Sequence, residues 1–119
     1  MKYPKGAKGR CDQLFSKIIR LRGSCERCGS RENLQCAHII SRTYSATRVD
    51  PRNAYCLCAS DHLYYTRWPR EFSKFVTEHT GSELYDELKL KAETVTKVRW
   101  DDELIRLQAM YKALTSTVI

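Results

Sequence analysis

Cys25 and Cys28 stand three positions apart in the segment CERCG, which is the spacing of a zinc knuckle. Two thiolates on such a tight turn can reach one tetrahedral ion at about 2.3 Å. A second pair of ligands must close the site, and the later segment CLCASDH offers Cys58 with either Asp61 or His62. Both completions are chemically allowed, so the sequence indicates a structural zinc site and leaves its fourth ligand open.

The remaining cysteines are expected to be structural. The chain has six cysteines, and its lysine-rich start does not lead into a signal-peptide core, which argues against a disulfide scaffold. A redox role for CERC is disfavoured because the turn residues Gly29 and Ser30 follow it. We expect Cys11, Cys36 and Cys56 to be buried as small apolar side chains, with Cys56 as an alternative zinc ligand.

The net charge of +7 is concentrated at the start of the chain. The first 31 residues contain nine lysines and arginines but two acidic residues, so the rest of the chain is neutral. Such asymmetry is typical of proteins that bind a polyanion, most often nucleic acid, although a solvated tail is the alternative. No apolar run approaches the roughly 18 residues of a membrane span, so we expect a cytoplasmic protein.

Hydrophobic periodicity predicts the elements that position the candidate ligands. A flexible basic arm over residues 1–10 is expected to lead into a helix from Cys11 to Arg22. Two short strands, LQCAHII and AYCLC, are separated by a polar loop. The next helix is expected after Cys58, with Ser60 as its N-cap and Asp61 in its first turn.

Three further helices are predicted in the second half of the chain. Pro69 is expected to begin one that ends near Gly81, a second covers Ser82 to about Lys91, and the last begins near Trp100. Their leucine and aromatic stripes are interpreted as core. A scaffold whose C-terminal helices dock partners would instead require an exposed apolar stripe on residues 100–114.

His38 lies in the predicted strand LQCAHII, where a lone histidine is more often packed than reactive. Here, however, the segments CERCG, LQCAHIISR, DPRN and LCASDH follow one another. This order resembles the zinc-containing phage branch of the HNH endonuclease family, the branch of endonuclease VII and the phage recombination nucleases. The matching stretch runs from Cys25 to about Trp68.

The resemblance implies a mostly helical α+β fold with a zinc-pinned ββα-metal core, also called a His-Me finger. The core would cover residues 25–68, preceded by the basic arm and helix over 1–24 and followed by a helical extension over 69–119, all within one compact domain. The implied activity is metal-dependent hydrolysis of DNA phosphodiester bonds in phage recombination or DNA processing. The expected location is then the host cytoplasm.

The resemblance also implies roles for individual residues. His38 would be the general base, Asn53 would orient the base or assist the metal, and His62 would bind a catalytic Mg²⁺ or Mn²⁺ ion. Structural Zn²⁺ would be held by Cys25, Cys28 and Cys58 with Asp61 or His62.

The chain departs from the family pattern at two positions. Asp61 stands where a fourth thiolate is usual, and Ala37 stands where Asp or His often precedes the base. The second departure removes one metal ligand, so we expect the catalytic ion to bind weakly without substrate.

Arginines flank the predicted site and are expected to contact DNA phosphates, since guanidinium pairs bidentately with phosphate. They are Arg42, Arg48, Arg52, Arg67 and Arg70. The alternative for each of these arginines is a solvent-exposed position without a phosphate contact. The expected partner is duplex or branched DNA, and an enzyme that makes two cuts would favour a homodimer. The alternative function is a catalytically silent, zinc-stabilised nucleic-acid-binding module.

Overall fold

Helices enclose a small antiparallel sheet in the computed structural model, which describes residues 3–116. This arrangement confirms a mostly helical α+β fold. The elements of the described chain are α1 (Gly6–Arg20), β1 (Leu34–His38), β2 (Ala54–Cys58), α2 (Ala59–Arg67), α3 (Pro69–His79), α4 (Ser82–Thr94) and α5 (Trp100–Thr115). Within residues 3–116, no helix combines the length and apolar character needed to cross a bilayer.

The two strands form a hairpin whose register sets Leu34 opposite Cys58 and His38 opposite Ala54. Both predicted strands are confirmed, although β1 ends at His38, two residues before the end of its apolar run. Every residue of β2 is buried. Because alternate side chains of a strand face opposite ways, the sheet must be covered on both faces along β2.

Two apolar clusters supply that cover. On one side α1 and α5 pack together, and Phe15, Ile19 and Leu107 are buried there with Cys56 of β2. On the other side Leu57 of β2 lies in a cluster with the aromatic side chains Tyr55, Tyr65 and Phe75. The hairpin is therefore held between two layers of helices, which fixes where β1 presents His38.

The start of α1 differs from the prediction. The helix begins at Gly6, so the part of the expected flexible arm from Gly6 to Arg10 is helical, while Met1 and Lys2 lie outside the described residues. Tertiary packing explains the extension: Ala7 packs against the first cluster and the Lys8 ammonium lies 5.5 Å from the Trp100 ring centroid. A side chain at Gly9 would collide with the Pro4 carbonyl.

The polar loop between the strands is folded rather than extended. Two 3-10 turns, Ser45–Thr47 and Pro51–Asn53, shape it. The Asp50 side chain caps the second turn by accepting a hydrogen bond from the Arg52 amide. The Asp50 carboxylate also pairs with Lys91 of α4 at 3.0 Å, so the loop is tied to the C-terminal helices.

The later helices begin largely as predicted. Pro69 begins α3 and Trp100 begins α5, which confirms both starts. The predicted cap of α2 is wrong: Cys58 is the N-cap residue and Ser60 lies inside the first turn, because β2 runs directly into the helix. Helix α4 extends to Thr94, beyond the predicted end.

The large exposed apolar side chains of α5 do not form a stripe. Leu104 and Leu107 are buried, whereas Ile105 and Leu114 are exposed. The latter two are nine positions apart, and at about 100° per residue they lie on opposite sides of the helix. The described part of α5 therefore lacks the feature that a docking scaffold requires.

Candidate metal centre and histidine cleft

Three thiols and one carboxylate converge between the knuckle turn and the start of α2. The ligand atoms of Cys25, Cys28, Cys58 and Asp61 all lie within 4.8 Å of one another. The Sγ atoms of Cys28 and Cys58 are 3.8 Å apart, which is the separation of about 3.8 Å that two sulfurs have on one tetrahedral zinc ion. The donor set and its spacing fit structural Zn²⁺.

The knuckle turn is shaped by its own backbone. The Gly29 amide donates to the Cys25 carbonyl at 2.8 Å, and Gly29 has φ of +81°, a conformation that other residues adopt at a cost. The Glu26 amide donates to the Cys56 carbonyl at 2.8 Å, and the Glu26 carboxylate accepts from the Cys56 amide at 2.6 Å. These bonds join the turn to β2, beside Cys58.

Asp61, rather than His62, completes the cluster. Its Oδ2 atom lies 3.1 Å from the Cys25 Sγ, while its Oδ1 accepts a hydrogen bond from Arg27 at 2.6 Å. Burial acts to raise the pKa of Asp61, but hydrogen bonds from Cys28, Cys25 and Arg27 outweigh it and lower the pKa to about 2. A carboxylate that is ionised at neutral pH is suited to binding a cation.

The other cysteines lie away from this cluster. Cys11 and Cys56 are fully buried in the core between α1, α5 and the hairpin. Cys36 is half-buried on β1, where burial raises the pKa of its thiol to about 12. Burial is thus complete for two of the three cysteines predicted to be buried. The alternative of Cys56 as a zinc ligand lacks support, because its sulfur is outside the group of ligand atoms.

An open cleft of about 510 Å³ lies between α1, β1 and the start of α2. Both predicted functional histidines, His38 and His62, line it. The other lining residues are Tyr3, Asp12, Phe15, Ser16, Arg20, Leu34, Gln35, Cys36 and Arg42. The hairpin and the first turn of α2 therefore present both imidazoles to one solvent-accessible space.

The His38 ring is held in a defined tautomer. Its Nε2 lies 2.8 Å from the Arg48 carbonyl oxygen, which can only accept, so Nε2 carries the proton and Nδ1 carries the lone pair. The ring also packs against Phe15, with 5.5 Å between centroids. Burial lowers the pKa of His38 below its usual value, against a smaller opposing effect of the Arg48 hydrogen bond. At neutral pH the ring is an uncharged proton acceptor.

The His62 ring is fixed in the complementary way. Its Nδ1 lies 2.7 Å from the Oε1 atom of Gln35, so Nδ1 donates and Nε2 keeps its lone pair. Burial lowers the pKa of His62, which keeps the ring neutral. Histidines that bind metals typically donate the other ring N–H to an oxygen that fixes the tautomer in this way.

Asn53 is placed differently from the two histidines. Its side chain is fully buried and does not line the cleft. Its Oδ1 accepts from the Ile40 amide at 2.7 Å, and its Nδ2 donates to the carbonyls of Ile40 and Thr47, both at 3.0 Å. The amide thus secures the loop that follows β1, and any effect on His38 passes through that loop rather than through a direct contact with an ion.

The five arginines expected at phosphates have different surroundings. Arg42 lines the cleft, and Arg67 and Arg70 are exposed. Arg52 pairs with Asp50 and Glu87. Arg48 does not match the expectation, because its guanidinium is buried and its donors are directed to Asp12 and to the Arg42 carbonyl.

Sequence reasoning did not single out three cleft residues. Gln35 orients His62, Asp12 holds Arg48, and Arg20 extends from the last turn of α1 into the cleft. Asp12 had a usable signal, since it interrupts the apolar face that Cys11 and Phe15 form, where a carboxylate needs a cationic partner. Gln35 and Arg20 carry no comparable signal.

Comparison with protein-family models, curated proteins and solved structures finds no match to this chain. Functional inference therefore rests on the geometry of its own side chains. That geometry consists of a four-ligand cluster with the donor set of a structural metal site, and a separate cleft with two neutral, oriented imidazoles.

Proposed function

We propose that this protein is a metal-dependent HNH endonuclease that hydrolyses DNA phosphodiester bonds. The observation that carries the proposal is the presence of His38 and His62 in one cleft, each with its tautomer fixed by a hydrogen bond. The β1–β2 hairpin followed by α2 corresponds to the order of elements in a ββα-metal core. One imidazole is suited to accept a proton and the other to bind a cation.

His38 is the general base of the proposed reaction. Water is a poor nucleophile, and a neutral imidazole can take its proton as it attacks phosphorus. Nδ1 carries the lone pair that would take this proton, because Nε2 donates to the Arg48 carbonyl. The same hydrogen bond stabilises the imidazolium that forms when the proton arrives, since the carbonyl dipole faces the protonated ring.

His62 is the proposed ligand of the catalytic ion, through Nε2. When bound, Mg²⁺ or Mn²⁺ supplies charge stabilisation at the phosphoryl oxygens and the leaving O3′. Imidazole suits Mn²⁺ better than Mg²⁺, so we expect activity with both and at least equal activity with Mn²⁺. Asp12 is the carboxylate that lines the cleft, and it is engaged by Arg48, so weak ion binding without DNA is expected.

Zinc in the Cys25, Cys28, Cys58 and Asp61 cluster has a structural role in this proposal. Four protein ligands leave no open position for substrate. The cluster ties the knuckle turn to the junction of β2 and α2, and Asp61 immediately precedes His62. The zinc site would thus hold the catalytic ligand at a fixed position relative to the hairpin.

DNA is the proposed substrate because the cleft and its surroundings are basic. Arg20 and Arg42 line the cleft, and α1 contributes +3 of the +7 charge excess of the first 31 residues. Phosphates bound by these guanidinium groups would bring a scissile phosphodiester to the two histidines. This attraction is independent of base sequence and should weaken as salt rises.

The test is a cleavage assay with matched linear, nicked, flap and four-way-junction DNA, with Mg²⁺ or Mn²⁺ added to zinc-loaded protein. We expect cleavage of at least one substrate, its loss in His38→Ala and His62→Ala, and its retention in His79→Ala. His79 is a suitable control because it stacks on Phe75 in α3, away from the cleft. Mapping the cuts would identify the preferred DNA structure.

Two results would overturn the proposal. DNA binding without cleavage of any substrate in either metal would favour the silent zinc-stabilised binding module. Cleavage that persists in zinc-loaded His38→Ala would show that another group activates the nucleophile.

A further inference from the structure

We propose that Asp12 is a positioning residue that orients the His38 ring through Arg48. Asp12 lies on α1, outside the hairpin-and-helix unit that carries the two histidines. The inference rests on the proposed role of His38 as a base, and it extends the functional unit to the N-terminal helix.

The first link is a buried, two-pronged ion pair. The Nε and Nη2 atoms of Arg48 donate to the two carboxylate oxygens of Asp12 at 2.8 and 2.6 Å. The side chains of the pair are 10% and 4% exposed. A bidentate guanidinium–carboxylate pair fixes direction as well as distance, so α1 determines where the Arg48 side chain lies.

The second link is the main chain of the same residue. The Arg48 carbonyl oxygen accepts the hydrogen bond from His38 Nε2. The Nη1 atom of the Arg48 side chain donates to the Arg42 carbonyl at 3.0 Å. Arg48 is therefore held by its side chain at α1 while its carbonyl holds the imidazole. We infer that displacing the guanidinium shifts the carbonyl that accepts from His38 Nε2.

The backbone amide of Arg48 itself has one weak hydrogen bond, although Arg106 of α5 donates to the neighbouring Val49 carbonyl at 2.9 Å. Arg48 follows the Ser45–Thr47 3-10 turn, where its amide donates to the Ser45 carbonyl at 3.3 Å, a long hydrogen bond. Asn53 secures the loop at Ile40 and Thr47, but its amide does not reach Arg48. The Asp12 pair thus supplies the side-chain anchor at the residue that bears the carbonyl.

An ion pair from another helix offers a matched control. Lys91 of α4 binds the Asp50 carboxylate in the same loop at 3.0 Å, and Arg52 donates to that carboxylate as well, so we expect Asp50 to stay paired in Lys91→Met. If any helix-to-loop ion pair oriented His38, then Lys91→Met would have the same effect as loss of the Asp12 pair. Our inference restricts the effect to Asp12.

The test observes the His38 ring directly by NMR of zinc-loaded protein without DNA or a second metal. We expect the Nε2 proton to be protected from exchange in the parent protein and in Lys91→Met, and to be lost to fast exchange in the double variant Asp12→Leu/Arg48→Met. An apolar replacement of a buried ion pair is often neutral for stability, so the double variant should fold. Circular dichroism and zinc content verify folding.

Arg48→Lys is a second variant should the double variant fail to fold. It keeps a positive charge beside Asp12 but loses the two-pronged geometry, so we expect faster exchange of the His38 Nε2 proton. Protection unchanged from the parent in a folded double variant or in Arg48→Lys would overturn the inference, as would equal loss in Lys91→Met.

Activity provides a second readout. In variants that keep their zinc and fold, kcat should fall by about 10²-fold while KM for DNA stays near the parental value, because the base is misplaced and the basic surface is intact. A KM increase with unchanged kcat would contradict a positioning role. If no variant and no parent protein cuts DNA, the proposed function fails, whereas the NMR result still decides whether Asp12 orients the ring.

Discussion

Asp61→Asn is the substitution that tests the composition of the metal centre most sharply. The amide keeps the size of the side chain but removes the negative charge from the ligand position beside Cys25 and from the partner of Arg27. His62, the alternative fourth ligand, lies next in the chain, yet its ring binds Gln35 at the cleft. The two residues can therefore be separated by their effects on zinc.

The expected magnitude follows from binding linkage. Removing a residue that hydrogen-bonds to a metal ligand typically weakens metal affinity by roughly 10–100-fold. Loss of a charged ligand itself should weaken zinc affinity by at least about 100-fold, which is about 2.7 kcal/mol. When free zinc is held above the dissociation constants of both the parent protein and Asp61→Asn, the free energy of unfolding falls by the same amount, about 2.7 kcal/mol. For 119 residues the unfolding entropy is about 0.25 kcal/mol/K, so Tm should fall by about 11 °C.

The assay combines competition for zinc with a chromophoric chelator and thermal unfolding at buffered free zinc. His62→Asn is the matched control, and it should keep the parental zinc affinity. Parental affinity in Asp61→Asn together with weakened affinity in His62→Asn would refute the assignment of Asp61 as the fourth ligand.

Three further predictions concern the surroundings of the two sites. Asn53→Ala should lower the free energy of unfolding by about 3 kcal/mol, because it leaves buried backbone groups of the loop unpaired; a urea midpoint equal to the parent's would contradict this. Arg27→Ala should weaken zinc affinity about tenfold by removing the partner that orients the Asp61 carboxylate, and unchanged affinity would refute that role. Burial lowers the pKa of His38 in the folded state, so the unfolded chain, whose histidine has a pKa of about 6.5, binds a proton more readily. The stability that is present above about pH 6.5 is therefore lost as pH falls through the folded-state pKa. The stability difference between the parent and His38→Gln, measured by urea unfolding from pH 7.5 down to 5, should change in that direction, and a constant difference would show that the ring is not desolvated.

Local signals were sufficient to predict much of this fold. Apolar runs of β composition located the hairpin strands, and Pro69 marked the start of α3 because its ring suits the first turn of a helix. The CERCG turn predicted half of the metal cluster, because two thiols at that spacing need no distant residue to come together.

Features that depend on distant contacts were not predictable in the same way. Helix α1 begins at Gly6 because Ala7 and Lys8 pack against core residues and α5, contacts that no local pattern encodes. Arg48 looked like any loop arginine, and its burial depends on Asp12, 36 positions earlier in the chain. Which of the two neighbours is the fourth ligand likewise depends on the start of α2, which places Asp61 in the metal cluster and His62 at the cleft.

The central claim is that the His38 imidazole activates the nucleophile, and chemical rescue tests it most directly. His38→Gly, loaded with zinc and given Mn²⁺ and DNA, should cleave in a single turnover about 10²–10⁴-fold more slowly than the parent protein. Added imidazole should restore part of that rate, in proportion to its neutral fraction. Cleavage by His38→Gly at the parental rate would contradict the claim.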